Sequence, residues 1–168
     1  MKIGFWGASG TVTGSRFLLD GDKGRVLIDC GMFQGGKSIR KRNWEPFPAD
    51  PASINAVVLT HAHIGHYTGL MYLGKEAMSA NEVPVYAMPK MKSFLETNGP
   101  WSQLVANRNI ILKGIEDQKE VSLTAHLTVR ALKVPHRDEY SETVGYVISG
   151  PNKSALFIPD IDKWHKWK

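Results

Sequence analysis

Apolar residues along the chain fall into short runs cut by glycine and polar residues. KIGFWG, SRFLLD and RVLIDCG read as three extended segments in a meander, the last two joined by a GDKG turn. The next stretch, GGKSIRKRNWEPFPADPAS, is polar and basic, and its prolines forbid a long helix, so it reads as a loop with one helical turn. INAVVLTHAH is a continuous apolar run that meets histidines, the pattern of a buried strand delivering polar groups to a sheet rim. YTGLMYLGKEAMSA then places Leu70, Met71, Leu73 and Met78 at helical spacing and predicts an amphipathic helix.

VPVYAMP predicts a strand, and KMKSFLETNGPWSQLV a helical region broken at Asn98-Gly99-Pro100. From Asn109 the pattern changes again. NIILK, EVSL, LTVRALKVP, ETVGYVIS and SALFIPD predict successive strands with short turns. Helices flanked by two strand-rich halves imply an α/β (α+β) fold with helices packed outside sheets, over one domain spanning residues 1–168. The hydrophobic content of 42% with 22% charged residues suits a buried core. No apolar run reaches the roughly 20 residues of a membrane span, and MKIGFWGASG lacks a signal peptide's apolar centre, so the expectation is a cytoplasmic protein without membrane contact.

Three imidazoles stand in His61-Ala62-His63-Ile64-Gly65-His66. Residues i and i+2 of an extended chain face the same way, so His61 and His63 can grip one ion. His66 falls where a helix should start, and the helix dipole there favours the neutral imidazole that a metal requires. A tetrahedral zinc site needs a further ligand, and His136 in VPHRDE, at the end of a strand, is the best placed. His126, in a strand-like run, and His165, in a charged tail, read as structural or solvated. Asp160, at the end of ALFIPD, reads equally as a ligand or as the N-cap of a helix over residues 161–164. Tyr67, Arg137, Asp138 and Glu139 are candidates for binding substrate or for accepting hydrogen bonds from ligating imidazoles.

The single cysteine, Cys30, excludes an internal disulfide and reads as a buried small side chain. The net charge of +5 is concentrated in Lys37, Arg40, Lys41 and Arg42 and in Lys163, Lys166 and Lys168, which makes an anionic substrate, including nucleic acid, the expected partner. Gly7 to Gly14 resembles a phosphate-binding glycine loop only superficially. The residues after it are too few and too strand-like for the helix such a loop must open, so a connection near the metal rim is expected. Gly36-Lys37-Ser38 lacks the preceding glycine of a nucleotide-binding loop.

H-x-H-x-x-H after an apolar strand, a later lone histidine, and a strand ending in aspartate resemble the metallo-β-lactamase superfamily. The resemblance implies an αββα sandwich with a one- or two-metal site at the edge of its sheets. GASGTVTGSRFLL, VLIDCGMFQGGK and DPASINAVVLTHAH are similar to the RNA-processing β-CASP nucleases. HAHIGHYTGLMYLGKEAM, VPHRDEYSETVGY and LFIPDIDKW are similar to stand-alone hydrolases like the B protein of pyrroloquinoline quinone biosynthesis. A composite chain, natural or engineered, with its junction near residues 59–63 is therefore expected.

By the resemblance, His61, His63 and His136 match the ligands of a first metal, Asp160 a bridging carboxylate, and His66 a ligand of a second metal. The expected cofactor is Zn2+, one or two ions, with Mn2+ or Fe as alternatives. The nuclease pattern has aspartate where Gly65 stands, so the second site should be weak or absent. The implied chemistry is attack of an activated water on a phosphodiester, with Asp160, His136 and His66 catalytic and Arg137, Tyr67 and Lys37 binding substrate. Hydrolysis of a lactam, lactone or thioester is the runner-up, and an inactive metal-binding scaffold the alternative from another class. The resemblance also implies C-terminal elements beyond the strand ending at Asp160. The exposed sheet face this leaves predicts a homo-oligomer, either a homodimer or an assembly with exchanged segments.

Overall fold

The computed structural model describes residues 1–21 and 24–168. Asp22 and Lys23 of the expected GDKG turn lie outside the described residues. Among the described residues, ten strands form two sheets. The first has the order β1 (Lys2–Phe5), β2 (Phe17–Gly21), β3 (Gly24–Ile28), β4 (Ile54–Val58), β5 (Val83–Ala87), β6 (Ile110–Gly114). Its first three strands are antiparallel, as a meander requires, while β3 to β6 run parallel. Parallel strands need crossovers, and the long basic stretch and the helical region supply them. The second sheet, β7 (Glu120–Thr124), β8 (Leu127–Lys133), β9 (Val144–Ser149) and β10 (Ser154–Phe157), is wholly antiparallel.

Side-chain alternation sorts the two faces of the first sheet into two cores. Val26, Ile28, Ala56 and Val58 point inward and meet Val129, Ala131, Val144, Tyr146 and Ile148 of the second sheet. Leu27, Val57, Val85 and Ala87 point outward and meet Tyr67, Leu70, Met91, Leu95 and Leu104. Helices α3 (Pro89–Thr97) and α4 (Trp101–Ala106) pack on this outer side, against β5 and β6. The break between them falls at Asn98-Gly99-Pro100, as the sequence predicts. No described helix is long and apolar enough to cross a membrane.

The basic stretch holds one short α-helix, α1 (Lys37–Lys41), and two 3-10 turns, Arg42–Trp44 and Pro51–Ser53, more helical structure than the single turn expected. The amphipathic helix expected over residues 67–80 does not form. Helix α2 (Ile64–Tyr67) lasts one turn, a 3-10 segment covers Thr68–Leu73, and turns follow. Tertiary hydrogen bonds override the helical periodicity: Cys30 N–H donates to His66 C=O at 2.7 Å, and Gly69 N–H donates to Cys30 C=O at 2.7 Å. Both groups are thereby withdrawn from an α-helical ladder. Met71 and Met78 are accordingly exposed, and Leu70 alone of the four is fully buried.

The end of β3 runs very close to α2. A Cβ on Gly31 would lie 1.6 Å from Gly65 C=O, so no side chain fits there. Substituting Gly31→Ala is expected to lower unfolding free energy by more than about 2 kcal/mol. Urea unfolding measures this, and an unchanged midpoint at unchanged slope would show that the contact does not constrain the chain.

Candidate metal centre

The centre lies where the two sheets meet at strand ends. His61 and His63 follow β4, His66 sits in α2, His136 follows β8, and Asp160 follows β10. Three cross-links hold these ends together: Tyr146 O–H donates to Leu59 C=O at 2.6 Å, Ala62 N–H to Ser141 Oγ at 2.8 Å, and Asp162 N–H to Pro135 C=O at 2.8 Å. Nitrogen or oxygen atoms of His61, His63, His136 and Asp160 converge within 4.8 Å of one another.

Each imidazole is held by a partner on one nitrogen, which leaves the other facing the centre. Asp29 is fully buried at the end of β3, and Thr60 Oγ1 donates to it at 2.9 Å. That hydroxyl therefore accepts from Nδ1 of His61 at 3.0 Å. Nε2 of His63 donates to Glu139 Oε2 at 3.0 Å. Nδ1 of His66 donates to Asp29 Oδ2 at 2.7 Å, and Nδ1 of His136 to Asp162 Oδ1 at 2.9 Å. With these tautomers set, His61 Nε2 and His63 Nδ1 face each other as bare lone pairs at 2.9 Å. The carboxylate oxygen Oδ2 of Asp160 lies 3.3 Å from His61 Nε2, 3.1 Å from His66 Nε2 and 3.8 Å from His136 Nε2.

Acceptors facing acceptors repel, so only protons or a cation can hold this arrangement. Nε2 of His136 is buried and makes no hydrogen bond. A tetrahedral zinc with bonds of about 2.0–2.1 Å places its ligand atoms about 3.3 Å apart, which is the scale of these separations. The donor set of three imidazoles and one carboxylate thus fits a zinc-like ion. Burial alone would lower the His66 pKa, but the charge of Asp29 and the hydrogen bonds with Asp160 and Asp29 push it up to about 9. The adjacent imidazoles of His61 and His66 hold the Asp160 carboxyl well below its ordinary range, and burial holds His61 below its own.

Several expectations need correction. The helix dipole does not govern His66, because α2 is one turn long and two carboxylates flank the ring. His66 is not among the four convergent residues, which does not bear on its expected place at a second metal, and its Nε2 lies 3.1 Å from Asp160 Oδ2. Tyr67 is a core residue rather than a substrate contact. It is 5% exposed, with its ring edge-on to Phe94 and tilted on Trp101. Asp160 caps no helix; the 3-10 turn nearby, Trp164–Lys166, begins after Lys163. His126 is exposed in the turn between β7 and β8 rather than inside a strand, and His165 is exposed in the 3-10 turn.

Arg137 is exposed beside the centre, with Nη1 3.9 Å from Glu139. Lys37 is exposed on α1, and no described hydrogen bond or ion pair joins it to the histidines. Of the two acids expected to hold imidazoles, Glu139 does so, while Asp138 accepts from Thr143 N–H instead. Asp29 and Asp162 were not legible as site residues, although both follow or lie near strand ends. Cys30 is half-buried, and burial pushes its thiol up to about 12, which makes it a poor nucleophile.

A family model described as a beta-lactamase superfamily domain matches residues 24–167, most of the chain and all of the convergent residues. The chain belongs to the beta-lactamase superfamily. Among curated relatives, a ribonuclease of Thermus thermophilus is 47% identical over 87 residues, which is 52% of this chain and 19% of that protein. Ribonuclease Z of Treponema denticola is 28% identical over 140 residues, 80% of this chain and 42% of that protein. The chain thus spans less than half the length of either. Zn(2+)-bound PqqB from Methylobacterium extorquens superposes with a TM-score of 0.66 at 21% identity, covering 89% of this chain and 53% of that one. The metallo-beta-lactamase fold protein YhfI from Bacillus subtilis gives 0.58 at 16% identity, covering 86% and 54%. These likenesses show that the superfamily's fold is present in the chain.

Two expected outcomes follow from the centre. Asp162→Asn keeps the shape but weakens the acceptor that orients His136, and should reduce zinc affinity about 10- to 100-fold, while His126→Ala should leave it unchanged. Competition with a chromogenic chelator reads both, and equal affinities for the Asp162 variant and the unaltered protein would contradict the assignment. At Gly65 a Cβ would meet nothing closer than Thr13 Cα at 3.7 Å, an ordinary contact. Gly65→Asp should therefore fold and add a second metal equivalent beside His66, read by elemental analysis. An unchanged metal content would show that this position cannot complete a second site.

Proposed function

We propose that the chain is a metal-dependent hydrolase of phosphodiesters, RNA-like or cyclic-nucleotide-like. The observation that carries the reading is the set of bare donor atoms of His61, His63 and His136 facing Asp160 at the sheet rim. The two ribonuclease relatives favour a phosphodiester over a lactam, lactone or thioester. The exposed cations of α1 suit a polyanion.

His61, His63, His136 and Asp160 would hold the ion, taken as Zn2+. Bound there, it would polarise a phosphoryl oxygen and acidify water. The chain's own groups do the remainder. Asp160, stripped of its proton by the neighbouring imidazoles, is the acceptor that orients the attacking water through Oδ2. His66, fixed by Asp29, keeps Asp160 in place from behind. Arg137, exposed on its loop beside Glu139, would meet charge developing on the phosphoryl oxygens, and Lys37 and its neighbours would hold the flanking strand.

Dialysis against a chelator should abolish hydrolysis of bis(p-nitrophenyl) phosphate and of single-stranded RNA, and added zinc or manganese should restore both. Lys37→Glu with Arg40→Glu should raise KM for RNA about fivefold and leave the small ester unaffected, since only the long substrate reaches α1. Turnover of a lactam or thioester without turnover of either phosphodiester would replace this reading with the runner-up. The reading also takes the protein as a homo-oligomer joined through the outer strands β1 and β10, where Phe5 and Leu156 are exposed. Light scattering should give at least twice the 18.7 kDa of one chain, and a mass equal to one chain would contradict it.

A further inference from the structure

A second concave region lies on the other side of the first sheet, away from the convergent histidines. It is a cleft of about 680 Å³, within the size range of small-molecule sites. Its floor is the outward face of three strands: Leu27 of β3, Ile54 and Val57 of β4, and Val83 of β5. One wall is the segment around Phe47, the other the turns around Met78. None of His61, His63, His136 and Asp160 lines it. An apolar floor of this kind ordinarily carries a packed helix, but the helix expected over residues 67–80 is replaced here by 3-10 and turn structure that leaves the strands open.

One end of the cleft is charged. Arg16, at the start of β2, reaches in with its guanidinium stacked 4.7 Å from the Phe33 ring and 5.8 Å from the Phe47 ring. Its Nε is shut off from solvent and makes no hydrogen bond, and no described carboxylate lies within ion-pair distance of it. Burial pulls its pKa below the ordinary arginine value, the mark of a cation short of solvation. Of the other charges nearby, Glu82 is paired with Arg108, Glu45 is exposed at the rim close enough to act on Arg16, and Arg42 lies 4.0 Å from the same Phe33 ring. A guanidinium with no carboxylate partner takes a two-oxygen anion through parallel hydrogen bonds.

We propose that this cleft binds an amphiphile with a single anionic head, its head on Arg16 and its alkyl chain along Leu27, Ile54, Val57 and Val83. Among the described lining residues Arg16 is the one cation and Glu45 stands at the rim, so the lining matches one negative charge. The head group sits beside Cys30, whose amide donates to His66 C=O, so the occupied cleft abuts the rear of the metal centre.

The test is calorimetric titration of the metal-loaded protein with 1-decanesulfonate and with 1-decanol, both below aggregation; the sulfonate is chosen because it is a poor metal ligand. The expected result is one saturable site that binds the sulfonate at least tenfold tighter than the alcohol. Arg16→Met should erase that difference while leaving the alcohol within twofold. Ala77→Trp, at an exposed position on the rim, should weaken both ligands tenfold with Arg16 intact, which keeps the test valid if the Arg16 variant does not fold. Absence of saturable binding, equal affinity for the two ligands, or sulfonate binding undiminished by Ala77→Trp overturns the proposal.

Discussion

A buried carboxylate at the end of β3 is the constraint on which the rest depends. Asp29 is wholly inaccessible and sits at φ +58°, a backbone conformation uncommon for a residue with a side chain. It accepts from Ser15 Oγ, Thr60 N–H, Thr60 Oγ1 and His66 Nδ1. Those four donors come from the connection before β2, the end of β4 and the turn of α2. One side chain thus joins three segments and fixes, directly or through Thr60, which nitrogen of His61 and of His66 faces the centre. A buried charge is tolerable only when so fully hydrogen-bonded, and the network it organises is correspondingly rigid.

Architecture and chemistry meet through strand ends. The inner core between the sheets sets the ends of β4, β8 and β10 side by side, and each end delivers a side chain of the convergent set as the chain leaves the sheet. Acceptors on separate strands are thereby pressed together at distances they would avoid in water. Packing energy from the core holds them there, and a cation relieves the repulsion. This is why His61, His63 and His136 need acceptors behind them as much as an ion before them: Thr60, Glu139 and Asp162 keep the bare nitrogens aimed.

Much of the fold was legible in the sequence, because each strand is a short apolar run with a turn signal beside it. INAVVLTHAH and SALFIPD even announce their functional ends. The region after His66 was not legible: its apolar spacing is helical, but hydrogen bonds from Cys30 and to it, residues away in sequence, take the groups a helix needs. Tyr67 was misplaced for the same reason, since the short α2 turns it into the core between Phe94 and Trp101. The four convergent residues were legible from spacing and resemblance together. Asp29 was not, since VLIDCG reads as an ordinary strand end and only the folded chain shows four donors converging on its carboxylate. Asp162 was hidden among other acids near a strand end.

X-ray absorption at the zinc edge, combined with anomalous diffraction from crystals of the zinc-loaded protein, tests the central claim most directly. The account predicts one ion bonded at about 2.0–2.2 Å to His61 Nε2, His63 Nδ1, His136 Nε2 and an oxygen of Asp160. An ion held without His136, or none at the meeting of the strand ends, would contradict it.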